Sequence, residues 1–387
     1  MKVPISRTEL TKKEFEIIKK PIESGWVVQG PFVKDFENKF SEFTGSKHSI
    51  AVTSCTTALQ LSLASLGFKA GDEAIVPAFT WISTANVVEH LGGKVVFCDI
   101  NPKTFNIDIS QIESKVNDKT KAIIPVHLFG LAADIDPILN LAKKYNLWVV
   151  EDAACGFGAK YNEKHVGTFG DTGCFSFHPR KAITTGEGGM ITTNDDDLAM
   201  KLRSMRDHGA ELSDFQRHHG AKPYFLSEYP FAGYNYRLTD IQASIGSTQM
   251  DRANEIVSER KKIAKFYNDK LSDLDFFQLP YYNNNSSHSF QSFPCLFNLK
   301  ELSLKNIVKI NNSRNNFMDS LQNKGVSTRP ATHAVHMLNY YKKKYHLKSE
   351  DFPNAYIANE ASISFPLFNG LKYDEQKYVI ETIKEFI

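Results

Sequence analysis

The chain has 387 residues, of which 42% are hydrophobic and 23% charged, a composition that supports a sizeable core and excludes a wholly disordered chain. Lys and Arg number 46 against 44 Asp and Glu, so a formal charge of +2 supplies no global attraction to nucleic acid or to an anionic membrane. At about 150 residues per domain, this length predicts two or three domains, or one large domain with a smaller partner.

Cysteines stand at 55, 98, 155, 174 and 295, with no CxxC and no zinc-like spacing. No metal site is expected, and the sparse, odd set predicts reduced thiols and a cytoplasmic protein. The first twenty residues carry no apolar stretch of the secretory type. Runs such as AIIPV and WVV are too short to span a bilayer, so no membrane partner is expected.

In chain order, a helix is predicted from Lys12, then another from Pro31 to Thr44 with Phe32, Phe36, Phe40 and Phe43 on one stripe. From 49 to 210 strands and helices alternate. SIAVTS, EAIVPAF, KVVFCDI, KAIIPVHLFG and LWVVEDA read as strands. CTTALQLSLASLG, WISTANVVEHLGG, 108–116 and 134–146 read as the helices between them. CFSFH and GGMITTN follow with no helix between, so one of them is a candidate antiparallel strand. DDDLAMKLRSMRDHG is a helix. This order predicts a mostly parallel sheet covered on both faces. After about 245 the texture changes to a long helical stretch over 239–274, a polar loop YYNNNSSHS, a strand QSFPCLFNL, and helices IVKINNSRNNFMDSLQNKG and EQKYVIETIKEFI. The predicted division is a large α/β domain over 1–245 and a smaller α+β domain over 246–387.

Ligands of such sheets bind beyond the carboxyl ends of the strands. The residues that matter are therefore Ser54, Thr56, 79–81, His127, Asp152 and 176–181. Lys181 follows a strand and is suited to imine formation there; alone it also reads as a solvated lysine near a turn. Asp152 ends a buried strand and needs a partner, such as a protonated ring nitrogen; alone it also reads as a helix cap. Residues 54–57 open a helix after a strand, where amides and hydroxyls suit a phosphate or simply cap the helix. Trp81 is placed either to stack on a flat ring or to pack in the core. Together, a phosphate cradle, an aromatic plate, a carboxylate and an imine-forming lysine are what pyridoxal 5′-phosphate requires.

The segments ESGWVVQGPFVKDFE, SCTTAL, GDEAIVPAFTW, VHLFG, VVEDAA, GTFGDTGCFSFHPRK, TTGEGGMITTND, GYNYRLTDIQASIG and STRPATHAVH resemble the DegT/DnrJ/StrS family of sugar aminotransferases over nearly the whole chain. The resemblance implies the aspartate aminotransferase fold (fold type I). Lys181 matches the lysine that bonds covalently to the cofactor, and Asp152 matches the carboxylate on its ring nitrogen. Trp81 matches the stacking aromatic; Cys55, Thr56 and Ser176 match the phosphate ligands. Asn235 matches an asparagine that reaches the phosphate from a neighbouring subunit, implying a homodimer with shared sites. Arg329 and His333 match a substrate-facing loop, and Glu187 and Arg237 are candidates for the donor or sugar pocket. Two positions depart from the family: Cys55 stands where Gly is usual, and Cys155 where Glu, Gln or His is frequent.

The expected activity is ping-pong amino transfer from L-glutamate to a ketone, first choice C4, of a nucleotide-linked keto-deoxysugar. Amination at C3 or of a small keto-alcohol or its phosphate is the alternative. A sugar dehydratase of this fold would carry His in place of Lys181, and a non-catalytic regulator would be the reading had Lys181 or Asp152 been missing.

Overall fold

The structure is a computed structural model that describes residues 1–219, 224, 226–282 and 285–386. Its centre is a seven-stranded sheet: β1 (His48–Val52), β2 (Glu73–Pro77), β3 (Lys94–Cys98), β4 (Thr120–Ile123), β5 (Trp148–Asp152), β6 (Thr172–Ser176) and β7 (Gly189–Thr193). The spatial order is β1-β7-β6-β5-β4-β2-β3. Strand β7 runs antiparallel to both β1 and β6, and the other neighbours are parallel. The β6–β7 connection holds no helix that could form the usual crossover of a parallel pair, and the chain returns antiparallel.

Helices α1 (Pro31–Thr44), α2 (Cys55–Leu66), α3 (Ser83–His90), α4 (Ile135–Tyr145), α5 (Asp196–Arg206) and α6 (Asp240–Met250) cover the sheet. One core layer holds Phe36 and Phe40 of α1 with residues of α4 and α6; the other holds residues of α2, α3 and α5. The Phe stripe divides as a helix of this period should: Phe36 and Phe40 are fully buried, while Phe32 and Phe43 pack at the margin. Phe36 meets Phe177 at 4.9 Å and Phe40 meets Phe175 at 5.0 Å, which binds α1 to the strand leading to Lys181.

Helix α7 (Ala253–Leu271) leads into a smaller antiparallel sheet, β8 (Phe277–Gln278), β9 (Phe293–Phe297) and β10 (Ser362–Phe365), with α8 (Ile307–Asn323), α9 (Pro353–Ala361) and α10 (Tyr373–Lys384). The predicted long helix over 239–274 is two helices, because the chain turns at Asp251 and Arg252 between α6 and α7. Residue 245 lies inside α6. The predicted helix over 108–116 is two short 3₁₀ turns, 109–111 and 113–115; the Asp108 side chain caps the first, binding the Ser110 amide. The polar loop includes Asn283 and Asn284, which lie outside the described residues, and a short strand, Ser286–Ser287, that pairs with Lys160–Tyr161.

The chain's first residues pack on the smaller unit. Val3 pairs with Val326, Arg7 meets Glu375 at 2.9 Å, and Thr8 Oγ1 donates to the Pro179 carbonyl at 3.2 Å, beside the Lys181 loop. Among the described residues, no helix is long and apolar enough to cross a membrane.

Candidate active site

The strand order carries the ends of β1, β7, β6 and β5 side by side. Val52 pairs with Gly189, Gly189 with Ser176, and Asp152 with Cys174 two residues before it. Residues distant in sequence therefore converge on one mouth.

At the end of β1, Ser54 caps α2. Its hydroxyl accepts from the Thr57 amide at 3.1 Å, and Thr57 Oγ1 accepts from the Ser54 amide at 3.0 Å. The cap consumes both side chains and leaves the first helical amides, those of Cys55 and Thr56, without intrahelical partners. Thr56 Oγ1 donates to Ser83 Oγ at 2.9 Å, so the starts of α2 and α3 meet there. The Cys55 thiol turns inward, donating to the Cys174 carbonyl at 3.5 Å; burial pushes it well above the usual thiol value. Its side chain thus stays out of the mouth while its N–H remains at the helix start, which resolves the departure from glycine. Gly189 packs its backbone directly against this turn, where a Cβ would lie 2.5 Å from the Ser54 backbone.

Asp152 is 4% exposed. Its Oδ2 accepts from Thr84 Oγ1 at 2.7 Å and its Oδ1 from the Ala154 amide at 3.1 Å. Burial raises its carboxyl above the ordinary value; the two hydrogen bonds and the charge of Lys181 oppose that rise. A buried carboxylate held by neutral donors is a good acceptor for a cationic N–H.

The adjacent Glu151 points to the opposite face and is fully enclosed. It accepts from His127 Nε2 at 2.9 Å and from the amides of Gly167, Phe169 and Gly170 at 2.7–2.8 Å. The Ala133 amide donates to His127 Nδ1 at 3.1 Å, which leaves Nε2 to donate to Glu151. Burial pushes Glu151 up, and these donors overcome it and hold the carboxyl below the usual range.

Lys181 follows β6 through a turn in which its amide donates to the His178 carbonyl at 2.8 Å. Its Nζ donates to Cys155 Sγ at 3.1 Å, and it acts electrostatically on Asp152 and Cys55. Cys155 is half-buried, whereas the other four cysteines are buried. Ser176 Oγ accepts from the His178 amide at 3.4 Å.

Trp81 is 54% exposed and meets the His333 ring edge-on at 5.6 Å. That contact follows from the pairing of His333 with Thr80, which clamps the substrate-loop candidate to the mouth. Arg329 is exposed, its backbone bridged to Ser364. Asn235 is exposed next to Asp207, suited to reach outward. Glu187 is exposed, its carbonyl holding Thr185 and Gln242 at 2.7 Å. Arg237 makes a 2.5 Å ion pair with buried Asp207 and bridges Val52, so at least part of its charge serves the fold.

Thr84 and Ser83 were not legible as site residues. Their signal, a Thr–Ser pair at a helix start after the aromatic Trp81, is also that of an ordinary cap. The arrangement fits pyridoxal 5′-phosphate on three counts: two helix amides without intrahelical partners, a buried carboxylate with no hydrogen-bonded cation among the described residues, and a lysine at the same mouth.

Relatives agree with that chemistry. GDP-perosamine synthase from Caulobacter vibrioides is 35% identical, covering 100% of this chain and 98% of that protein. The spore coat polysaccharide biosynthesis protein SpsC of Bacillus subtilis is 33% identical over 100% of this chain and 97% of its own length. Among solved structures, Streptococcus pneumoniae Spr1654 in its PLP form superimposes with a TM-score of 0.89 at 27% identity, covering 100% of this chain and 98% of that one. Helicobacter pylori PseC, an aminotransferase involved in the biosynthesis of pseudoaminic acid, gives 0.89 at 26% identity, covering 100% and 99%. The profile of the DegT/DnrJ/EryC1/StrS aminotransferase family matches residues 8–384. The chain therefore belongs to the DegT/DnrJ/EryC1/StrS aminotransferase family, and its cofactor is pyridoxal 5′-phosphate.

Proposed function

We propose that this aminotransferase moves an amino group from L-glutamate to the C4 ketone of a nucleotide-linked keto-deoxysugar, as a homodimer with shared sites. The observation that carries the reading is the convergence of Lys181, Asp152 and the opening of α2 on one mouth. The similarity to a GDP-perosamine synthase supports a nucleotide-sugar acceptor.

When bound, pyridoxal phosphate supplies an aldehyde for amine exchange and a protonated ring that withdraws electrons from the reacting carbon. The amides of Cys55 and Thr56, with Ser176, bind its phosphate, joined by Asn235 of the neighbouring subunit. Asp152 keeps the ring nitrogen protonated. Trp81 would offer its indole for stacking against the ring and exclude water there. Lys181 Nζ would hold the cofactor and, as the base and acid of the site, would take the proton from the donor Cα and later return a proton to the sugar carbon. Arg329 and His333 engage the acceptor, with Arg329 matched to a carboxylate or diphosphate. Glu187 and Arg237 border the donor or sugar pocket.

The test is the visible absorption of the purified protein before and after L-glutamate. A yellow band that converts to the amine-form band supports the donor half. A bound cofactor indifferent to glutamate rejects it. Nucleotide keto-sugars are then scored by return of the yellow band, against the same sugars without the nucleotide. Equal recovery with a small keto-alcohol phosphate would overturn the acceptor assignment.

A further inference from the structure

We infer that Thr84 is a positioning residue for the cofactor, the link of a hydroxyl relay that meets and aims Asp152. This inference rests on the role proposed above for Asp152.

Thr84 is fully buried at the start of α3, and its single hydroxyl proton has three acceptors within reach. Asp152 Oδ2 is the nearest at 2.7 Å; the Trp81 carbonyl is at 3.2 Å and Thr80 Oγ1 at 3.3 Å. The carboxylate is both the closest and the charged acceptor, so it takes the proton. Thr84 then has lone pairs free to accept from Thr80, whose own hydroxyl is buried. The relay reads Thr80 to Thr84 to Asp152. The second oxygen, Oδ1, is fixed by the Ala154 amide. Two donors on two oxygens set the carboxylate plane and leave the remaining lone pairs for a cationic ring nitrogen.

The relay also has an outer anchor. Thr80 pairs with His333 in a two-residue antiparallel ladder, and His333 sits against Trp81. One short segment, 80–84, therefore carries the aromatic cover, the relay and the clamp on the substrate-loop candidate. The order of the relay requires a hydroxyl at 84; an isosteric methyl in its place would fill the same volume and leave Oδ2 without its donor.

The experiment compares Thr84→Val, Thr84→Ser and Asp152→Asn with the parent chain. It measures the dissociation constant for pyridoxal 5′-phosphate on the resolved chain, the visible absorption band once loaded, and the melting temperature without cofactor. Thr84→Val is expected to bind about tenfold more weakly, the scale of a hydrogen bond to a charged group, with an altered band and near-parental melting. Thr84→Ser is expected to restore affinity and band. Parental affinity and band in Thr84→Val would overturn the inference, as would equal weakening by Ser and Val. Should Val prevent folding, Thr84→Ala against Thr84→Ser decides by the same criterion. Parental affinity in Asp152→Asn would reject the assigned role of Asp152 itself. Weak binding there with normal binding in Thr84→Val would reject the relay alone.

Discussion

Glu151 and Asp152 are consecutive carboxylates at the end of one strand, and the pleat sends them to opposite faces. Both are buried, yet their environments push them apart. Glu151 has four N–H donors and is held below the ordinary carboxylate range; Asp152 has two, both neutral, and is raised above it. The first is a finished structural junction, tying the His127 turn and the 167–170 loop to β5. The second is unfinished, with acceptor capacity turned to the mouth. Equal burial and equal chemistry give a brace on one side and a binding group on the other. Donor count is the difference.

The largest effect expected on the unfinished side is from Lys181→Ala. Loss of its amine should lower the glutamate half-reaction roughly a thousandfold or more, measured by single-turnover absorption. Unimpaired turnover would remove Lys181 from the chemistry. Next, Asp152→Asn should weaken cofactor binding on the order of a hundredfold and leave the fold intact, because a ring cation loses its buried counter-charge. Its mirror is Glu151→Gln, which should cost about 3 kcal/mol of stability, since buried amides lose a charged acceptor. Denaturant unfolding of both variants breaks the comparison if their effects are exchanged.

The pH dependence of the cofactor-free chain sharpens it further. Glu151 is depressed, so its contribution is fully present above its unfolded pKa of about 4.3 and is lost as the pH falls through the lower folded value. Asp152 is raised, so the folded chain keeps its proton longer; that contribution is present below about 3.9 and is lost as the pH rises through the folded value. Urea midpoints against pH should lose the acid-side fall in Glu151→Gln and the opposite fall in Asp152→Asn. Identical profiles in the two variants would contradict opposite shifts. The smallest expected effect is from Trp81→Leu, where loss of stacking should raise the cofactor dissociation constant by a few-fold up to about tenfold. An unchanged constant would make Trp81 a wall of the substrate entrance only.

Much of the fold was legible because its signals are local. The β/α alternation, the Phe36 and Phe40 stripe and an antiparallel member of the β6–β7 pair follow from periodicity and from the helix-free link before Gly189; which of the two is antiparallel does not. The two failures had different causes. The 239–274 stretch has continuous helical periodicity, and only packing chooses Asp251 and Arg252 as the turn between α6 and α7. The 108–116 segment has a helix-like pattern, but its Asp108 side chain holds the Ser110 amide and the segment closes into two 3₁₀ turns.

For the site, the groups at strand ends can be read along the chain: Ser54, Thr56, Trp81, Asp152, Ser176 and Lys181. Strand direction and the position of turn residues are encoded within a few neighbours, so those placements need no distant contact. The sequence also presented Cys55 and Cys155 as departures without saying what they do. Folding adds that the Cys55 thiol turns into the sheet, that Cys155 meets Lys181, and that Thr84 reaches Asp152 across 68 positions of sequence. It alone gave the two carboxylates of β5 different fates. The physical reason is that a hydrogen bond depends on a donor arriving within about 3 Å, and which donors arrive is set by strand order and helix packing rather than by the residues beside the acceptor.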